Sequence, residues 1–272
     1  MENNSRNRDY CFIEDDDSLT RLIESHLSNV DTIAIDSEFL RFDRESPPKL
    51  ALLQFKTKTV KGAIDPLKCH NVGDFISYLF KNKSIVKILH DAKQDLETFE
   101  FFVNFEISKD EIFDTQIAEL FINYYTNGTP SYKELVQKYC GKSISKYYQN
   151  SNWLKRPLID KQISYAVTDV EFLHDIYAAQ RKSLQKLNRV DIYCDYLIKR
   201  LNNHIHKIKA SKNIDFFVEK ERVDEIYKNL CNACESANIT PSVIATKNDI
   251  RHIITFPTEY PIEEWKLKFL KI

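Results

Sequence analysis

The alternation of apolar and polar positions splits the chain into two stretches of different character. Up to about residue 180, short β-branched runs alternate with amphipathic segments; beyond that only helical periodicity is left. TIAIDSEF, KLALLQFKT and TVKGAIDP are strand-like runs in close succession, parted by charged or proline-bearing turns around residues 46–48 and 56–58. They read as a meander. Before them, Asp17 or Ser18 can cap a helix through LTRLIESHL. After them come a helix through VGDFISYLFKN, a strand SIVKILH ending at His90, a helical AKQDLETFEFFVNF and a short apolar FDTQIAELFIN. A helical SYKELVQKYC follows, then one long helix beginning at DKQISYAVTDVEFLHDIY. Strands first, then strand and helix in alternation, predict an α/β domain with a mixed sheet flanked by helices. RVDIYCDYLIKRLNNHIHKIKASK, ERVDEIYKNLCNACESANI and PSVIATKNDIRHII read as three further helices, the last favoured by Pro241 and Ser242 at its start. The expected division is an α/β domain over residues 1–184 and a small all-helical region over residues 185–272.

Composition narrows the class. The chain has 272 residues, 43% hydrophobic and 29% charged, as expected of a globular protein rather than a disordered one. With a net charge of −1, bulk charge does not advertise nucleic-acid binding, so any positive surface must be local. The basic run at residues 199–212, with His204 and His206 inside it, can contact phosphates or form the solvated face of a helix. Six scattered cysteines do not resemble a disulfide framework and point to reduced thiols in a cytoplasmic chain. Cys231 and Cys234 form a CxxC that lies in a helical pattern without a second ligand pair. No apolar run approaches the roughly 18 residues of a membrane span. The polar, acidic N-terminus has no apolar core of a secretory signal. Four glycines leave no Gly-rich phosphate loop, which removes P-loop and dinucleotide-binding readings.

The candidate chemistry lies in IAIDSEFLRF, residues 33–42. Asp36 and Glu38 alternate along a strand and so share a face. Two carboxylates that close raise each other's pKa unless a cation neutralises them, and a hard divalent ion such as Mg²⁺ or Mn²⁺ does so through oxygen. The simpler reading is a strand running out into a loop, with Asp36 as a cap. Asp95 stands one helical turn beyond the strand that ends at His90, whereas Asp91, at the junction, reads as a helix N-cap. Tyr165 and Asp169 are spaced i, i+4 on one helical face, which also suits a hydrogen-bonded packing pair.

Taken together, the strand DxE, the aspartate after the fourth strand and the helical YxxxD resemble the three Exo motifs of the DEDD exonuclease superfamily. The tyrosine four residues before the last aspartate resembles the tyrosine subgroup; the histidine subgroup carries its histidine where this chain has Ser164. DSEFLRFDRESPPKLALLQF, AIDPL, KILHDAKQDLETF, FDTQIAEL, SYKELV and NWLKRPLIDKQISYAVTDVEFLHDIY resemble the ribonuclease D family, from about residue 12 to 180. The W-x-x-R-P-L at residues 153–158 is characteristic of it.

That resemblance implies an RNase H-like exonuclease fold and a metal-dependent 3′-to-5′ exoribonuclease that releases nucleoside 5′-monophosphates. Its expected substrates are single-stranded RNA 3′ ends, tRNA precursors among them, with no membrane and no organic cofactor. It implies that Asp36, Glu38, Asp95 and Asp169 hold two divalent metal ions, Mg²⁺ or Mn²⁺, while Tyr165 orients the attacking water. Phe39 and Leu40, directly after the DxE, are candidates to wedge against terminal bases, although Phe39 suits a core position equally well. Gln54 and His90 lie at strand ends near the expected site. Arg156, with Lys155, can contact phosphate or, for Arg156, pair with an acidic neighbour; Asp114 is expected to cap the following helix. The helical tail resembles a shortened form of the HRDC modules (helicase-and-RNase-D C-terminal) that assist RNA binding in that family. Two rivals stand beside this expectation: a DNA 3′-to-5′ exonuclease on the same fold, and an RNA-binding scaffold without turnover.

Overall fold

The computed structural model describes residues 9–41, 48–100, 102, 103, 105, 107–126, 128–207, 220–247, 249, 250, 253 and 263–270. One six-stranded sheet runs in the order β1-β4-β3-β2-β5-β6. Its strands are β1 (Cys11–Ile13), β2 (Thr32–Leu40), β3 (Lys49–Lys56), β4 (Lys61–Ile64), β5 (Val86–Leu89) and β6 (Ile112–Asp114). β2, β3 and β4 form the predicted antiparallel meander, and β1, β5 and β6 join it in parallel. The strand β2 lies inside the sheet, so its first half must be apolar on both faces; Ile33, Ala34 and Ile35 are fully buried. At the edge, Gly62 of β4 stands opposite Cys11, and a Cβ there would lie 2.2 Å from the Cys11 carbonyl oxygen. Only glycine lets β1 close onto the sheet.

The helices α1 (Asp16–His26), α2 (Val72–Lys81), α3 (Lys93–Glu100), α4 (Thr115–Ile122) and α5 (Tyr132–Cys140) cover the sheet with α6 (Asp160–Glu171) and α7 (Leu173–Lys186). The first helix starts earlier than Asp17 or Ser18 suggested, because the Asp15 carboxylate accepts the Ser18 N–H at 2.7 Å. The long helix expected from residue 160 is two helices, and the cause is one side chain. In an unbroken helix the Phe172 N–H would donate to the Thr168 carbonyl; here the Tyr132 hydroxyl stands between them, accepting from Phe172 at 3.1 Å and donating to Thr168 at 3.1 Å.

The strands β1 and β6, three residues each, show no period of their own and were not predicted. Beyond them come α8 (Val190–Lys207), α9 (Lys220–Ser236), α10 (Pro241–Ile244) and α11 (Glu264–Leu270). The expected helix from Pro241 stops after four residues, where Ala245 is extended and Thr246 with Asp249 forms a fresh cap. These helices close onto the α/β part directly. The Tyr193 hydroxyl, fully buried, accepts the Asp114 N–H at 2.8 Å, and Arg189 donates to the carbonyls of Phe121 and Asn238. The side chains of residues 203–207 and all of residues 208–219 lie outside the described residues, and with them His204, His206 and most of the basic run; so do residues 46 and 47 of the predicted turn. All six cysteines are free thiols, and Cys231 and Cys234 lie within α9. No described helix is long and apolar enough to cross a membrane.

Candidate active site

At Asp36 the strand β2 turns from apolar to acidic. Asp36 pairs with Gln54 and Glu38 with Leu52 across the β2–β3 ladder, and a bulge after Glu38 ends the regular register. The helix α6 packs on the face that carries these residues, its Ile163, Ala166 and Val167 seated with Trp153 on Ala51, Leu52 and Ala63. That apolar contact leaves Tyr165 and Asp169 facing the acidic end of β2. Parallel pairing of β5 with β2 then brings the first turn of α3, and Asp95, to the same end.

The turn from β5 into α3 is held by Asp114. Its carboxylate accepts the N–H groups of Asp91 (3.2 Å) and Ala92 (2.9 Å), as well as those of Gln116 and Ile117 at the start of α4. The expected capping of α4 by Asp114 is present, and the same carboxylate pins the preceding turn. Asp91 sits in the left-handed region, φ 56°, in that pinned turn. Asp95 is 5% exposed, and its Oδ1 accepts the Ser37 hydroxyl at 2.5 Å.

The electrostatics show that these carboxylates share one neighbourhood. Burial pushes Asp36 up to about 7. Burial, then the charges of Asp36, Asp169 and Asp95, pushes Glu38 up to about 10. Asp95 is raised well above the usual range by burial and by Asp36, against the Ser37 hydrogen bond. Asp169 goes up to about 8 through burial and Asp36, with the Lys146 charge opposing. The Tyr165 phenol is raised by burial and by Asp169, Glu38 and Asp36, so it stays protonated. Four neighbouring carboxylates, Asp95 buried and Asp36, Glu38 and Asp169 half-buried, are costly as anions unless something positive joins them. A donor set that is all carboxylate oxygen suits a hard divalent ion in kind. As placed, no three His, Cys, Asp or Glu side chains among the described residues are already gathered about one point.

The structure treats the expected substrate contacts unevenly. Phe39 is half-buried and Leu40 is 42% exposed, directly beside the acidic end of β2. Gln54 pairs with Asp36 across the ladder and is fully buried rather than open to solvent, its amide without a hydrogen-bond partner among the described residues. His90 has Nδ1 2.9 Å from the Thr115 hydroxyl and its ring against Tyr132. Burial pushes its imidazole down to about 4, leaving it neutral and not a cation for phosphate. Arg156 corrects the expectation of a phosphate contact: its Nε and Nη2 clamp the Asp65 carboxylate at 2.6 and 2.7 Å, and it also donates to the carbonyls of Ala51 and Trp153. Its guanidinium is committed because Asp65 is fully buried and needs a fixed counter-charge.

Sequence reasoning missed Ser37, Tyr132 and Lys146. A serine between two active-site carboxylates was a usable signal for the first; nothing local marked the other two.

Comparison with known proteins identifies the family and the fold. The family model described as 3′-5′ exonuclease matches residues 10–185. Ribonuclease D of Bartonella henselae is 35% identical over 164 residues, covering 60% of this chain and 39% of that protein. Ribonuclease D of Nitrobacter hamburgensis is 31% identical over 197 residues, covering 72% of this chain and 48% of its own length. The match thus spans less than half of either relative. The fold is similar to that of Escherichia coli RNase D, described as an exoribonuclease involved in structured RNA processing: TM-score 0.65, 21% identity, 96% of this chain and 72% of that one. It is also similar to Brucella melitensis NrnC bound to pGG, at TM-score 0.60 and 25% identity over 77% of this chain and 97% of that one. NrnC is also known with bound Mg²⁺, at TM-score 0.59 and 24% identity over 77% of this chain and 98% of that one.

Proposed function

The chain belongs to the 3′-5′ exonuclease family, and from that premise we propose that it is a divalent-metal-dependent 3′-to-5′ exoribonuclease that trims single-stranded RNA 3′ ends, tRNA precursors among them. The observation that carries the reading is that Asp36, Glu38, Asp95 and Asp169, from three elements, are near enough for their charges to raise one another, beside a Tyr165 that stays protonated. The relatives named ribonuclease D support RNA over DNA. The free cysteines support a cytoplasmic site of action.

The four carboxylates would hold two divalent ions, Mg²⁺ or Mn²⁺, which when bound supply Lewis acidity at the scissile phosphate and at the leaving oxygen. Tyr165 and Asp169, one turn apart on α6, orient the water: the phenol is a hydrogen-bonding group rather than a base, and the carboxylate is the acceptor. The water oxygen bonds to phosphorus and the bond to the 3′ oxygen of the penultimate nucleotide breaks. The proton that the water gives up goes to Asp169 and on to solvent, the 3′ oxygen takes one back from solvent, and a nucleoside 5′-monophosphate leaves. Phe39, half-buried, and Leu40, exposed, would wedge against the terminal bases, with a tolerance of sequence that stacking allows. The described helices between residues 185 and 272 would be an HRDC-like companion to the 1–184 exonuclease unit.

The test uses 5′-labelled single-stranded RNA and matched DNA with Mg²⁺, Mn²⁺ or chelator, comparing wild type with Asp36→Asn. A ladder shortening from the 3′ end, dependent on metal, lost in the variant and stronger on RNA, is expected. Equal or better cleavage of DNA overturns the RNA assignment. Binding of RNA with no product under any metal makes the chain a scaffold.

A further inference from the structure

Outside the carboxylate centre, the segment between α5 and α6 carries three aromatic rings, Tyr147, Tyr148 and Trp153, that the chemistry above leaves unused and that run outward from Tyr165. Trp153 stacks on Tyr165 (centroids 6.2 Å, 27°), Tyr165 meets Tyr148 (6.1 Å, 60°) and Tyr148 meets Tyr147 edge-on (4.9 Å, 76°). Burial falls along the series: Trp153 is 6% exposed, Tyr148 half-buried, and Tyr147 is 82% exposed. Successive turns hold the segment, with Tyr147 N–H on the Ser145 hydroxyl (3.1 Å), Gln149 N–H on the Lys146 carbonyl (3.2 Å) and Ser151 N–H on the Tyr148 carbonyl (3.0 Å). Next to Tyr147, Lys146 is an exposed cation whose charge is felt by Asp169, His90 and Glu134. An ordered aromatic ring held open to solvent, one ring removed from Tyr165 and flanked by a cation, matches the pairing of stacking platform and phosphate contact used on single-stranded nucleic acid.

We propose that Tyr147 and Lys146 form a subsite for the strand upstream of the scissile dinucleotide, Tyr147 stacking a base and Lys146 contacting a backbone phosphate. The inference rests on the exonuclease reading and deepens it. An enzyme that advances one nucleotide per cycle needs upstream contacts indifferent to sequence, and a π-face and a point charge both have that property. Tyr147 lies too far into solvent to serve the enclosed terminal nucleotides, where half-buried Phe39 stands. Strand length, not the chemical step, is what this subsite senses.

The experiment measures kcat/KM on RNA of two, three, four and six nucleotides. In Tyr147→Ala the hexanucleotide-to-dinucleotide ratio falls at least about fivefold, the low end of base stacking. Tyr147→Phe and Tyr147→Trp keep the wild-type ratio. Lys146→Ala lowers the same ratio and flattens the salt dependence of hexanucleotide binding by about one phosphate contact. A Tyr147→Ala ratio equal to wild type, in a variant with wild-type melting, overturns the subsite; so does a Tyr147→Phe defect as large as that of Tyr147→Ala. Failure of the exonuclease reading looks different, since wild type would then turn over no length at all. In that event fluorescence anisotropy with a labelled hexanucleotide decides, and equal Kd for wild type and Tyr147→Ala overturns the subsite.

Discussion

Ser37 donates its hydroxyl to the carboxylate of Asp95 at 2.5 Å, across 58 positions of sequence and from between Asp36 and Glu38. One strand thus presents two of the acidic groups and positions a third.

Removing that bond tests the arrangement. The Ser37 hydroxyl lowers the Asp95 pKa, so Ser37→Ala drives the carboxyl further up and loosens it. A hydrogen bond to a charged group contributes about 1.5–3 kcal/mol, so kcat falls roughly tenfold or more. The Mg²⁺ concentration for half-maximal rate rises with it. A Mg²⁺ titration identical to wild type would remove Ser37 from the site's architecture.

The carboxylates predict opposite effects on activity and stability. Asp36→Asn is expected to lose about a thousandfold in rate or more, because one of the proposed ligands for the ions is gone. In chelator the same variant is the more stable protein. Asp36 is raised to about 7 in the fold, from 3.8. A raised folded pKa stabilises fully below the unfolded value, and that contribution is lost as pH rises through the folded one. The melting advantage of Asp36→Asn over wild type therefore grows from about pH 4 to pH 7 and levels off above it. Mg²⁺ narrows the gap by neutralising the wild-type site. Thermal melts across pH, with chelator and with Mg²⁺, read this directly; an advantage that shrinks with rising pH in chelator would contradict it.

Arg156 is expected to act on stability and not on substrate. Asp65 is fully buried against it, and removing one partner of a buried pair costs about 3–5 kcal/mol. Arg156→Ala should melt far below wild type, and Arg156→Lys only partly restore it because the lysine lacks the planar fork. Denaturant melts with kinetics on the folded variant check it. Wild-type stability with a raised KM would return Arg156 to the substrate.

Lys87 predicts a gain. It is fully buried in β5, its Nζ has no hydrogen bond among the described residues, Glu111 is 3.9 Å away and the Phe80 ring 5.2 Å. Burial pushes its ammonium down to about 8 from 10.5. A depressed folded pKa gives stability that is present above the unfolded value and lost as pH falls through the folded one. At pH 7 the cost is in full force, so Lys87→Met should be more stable by up to about 3 kcal/mol, the cost of holding the ammonium at about 8 rather than 10.5. Glu111 keeps Lys83 at 3.0 Å in that variant. The margin should close between about pH 8 and 10.5; a variant less stable than wild type at pH 7 would refute the account.

Much of the molecule could be read from its residues. The strands β2 to β5 carry their own apolar runs, and the DxE and YxxxD spacings are properties of single elements: alternate residues share a strand face, and residues four apart share a helix face. Hence Asp36, Glu38, Asp95, Tyr165 and Asp169 were legible as candidates. The three-residue strands β1 and β6 were not, because so short a run has no period and exists only by pairing with β4 and β5.

Three things the tertiary structure alone decided. The Tyr132 hydroxyl breaks the helix before Phe172 from 40 positions away. Asp65 claims Arg156 from 91 positions away. Asp114 accepts the Ala92 N–H of the turn that carries Asp95 and donates its own N–H to the Tyr193 hydroxyl. The sequence by itself determined which side chains could do chemistry and on which face of which element they stand, because periodicity is local. The partner of each polar group was settled only by the fold, because a hydrogen bond or ion pair forms between whichever groups chain closure brings within about 3 Å.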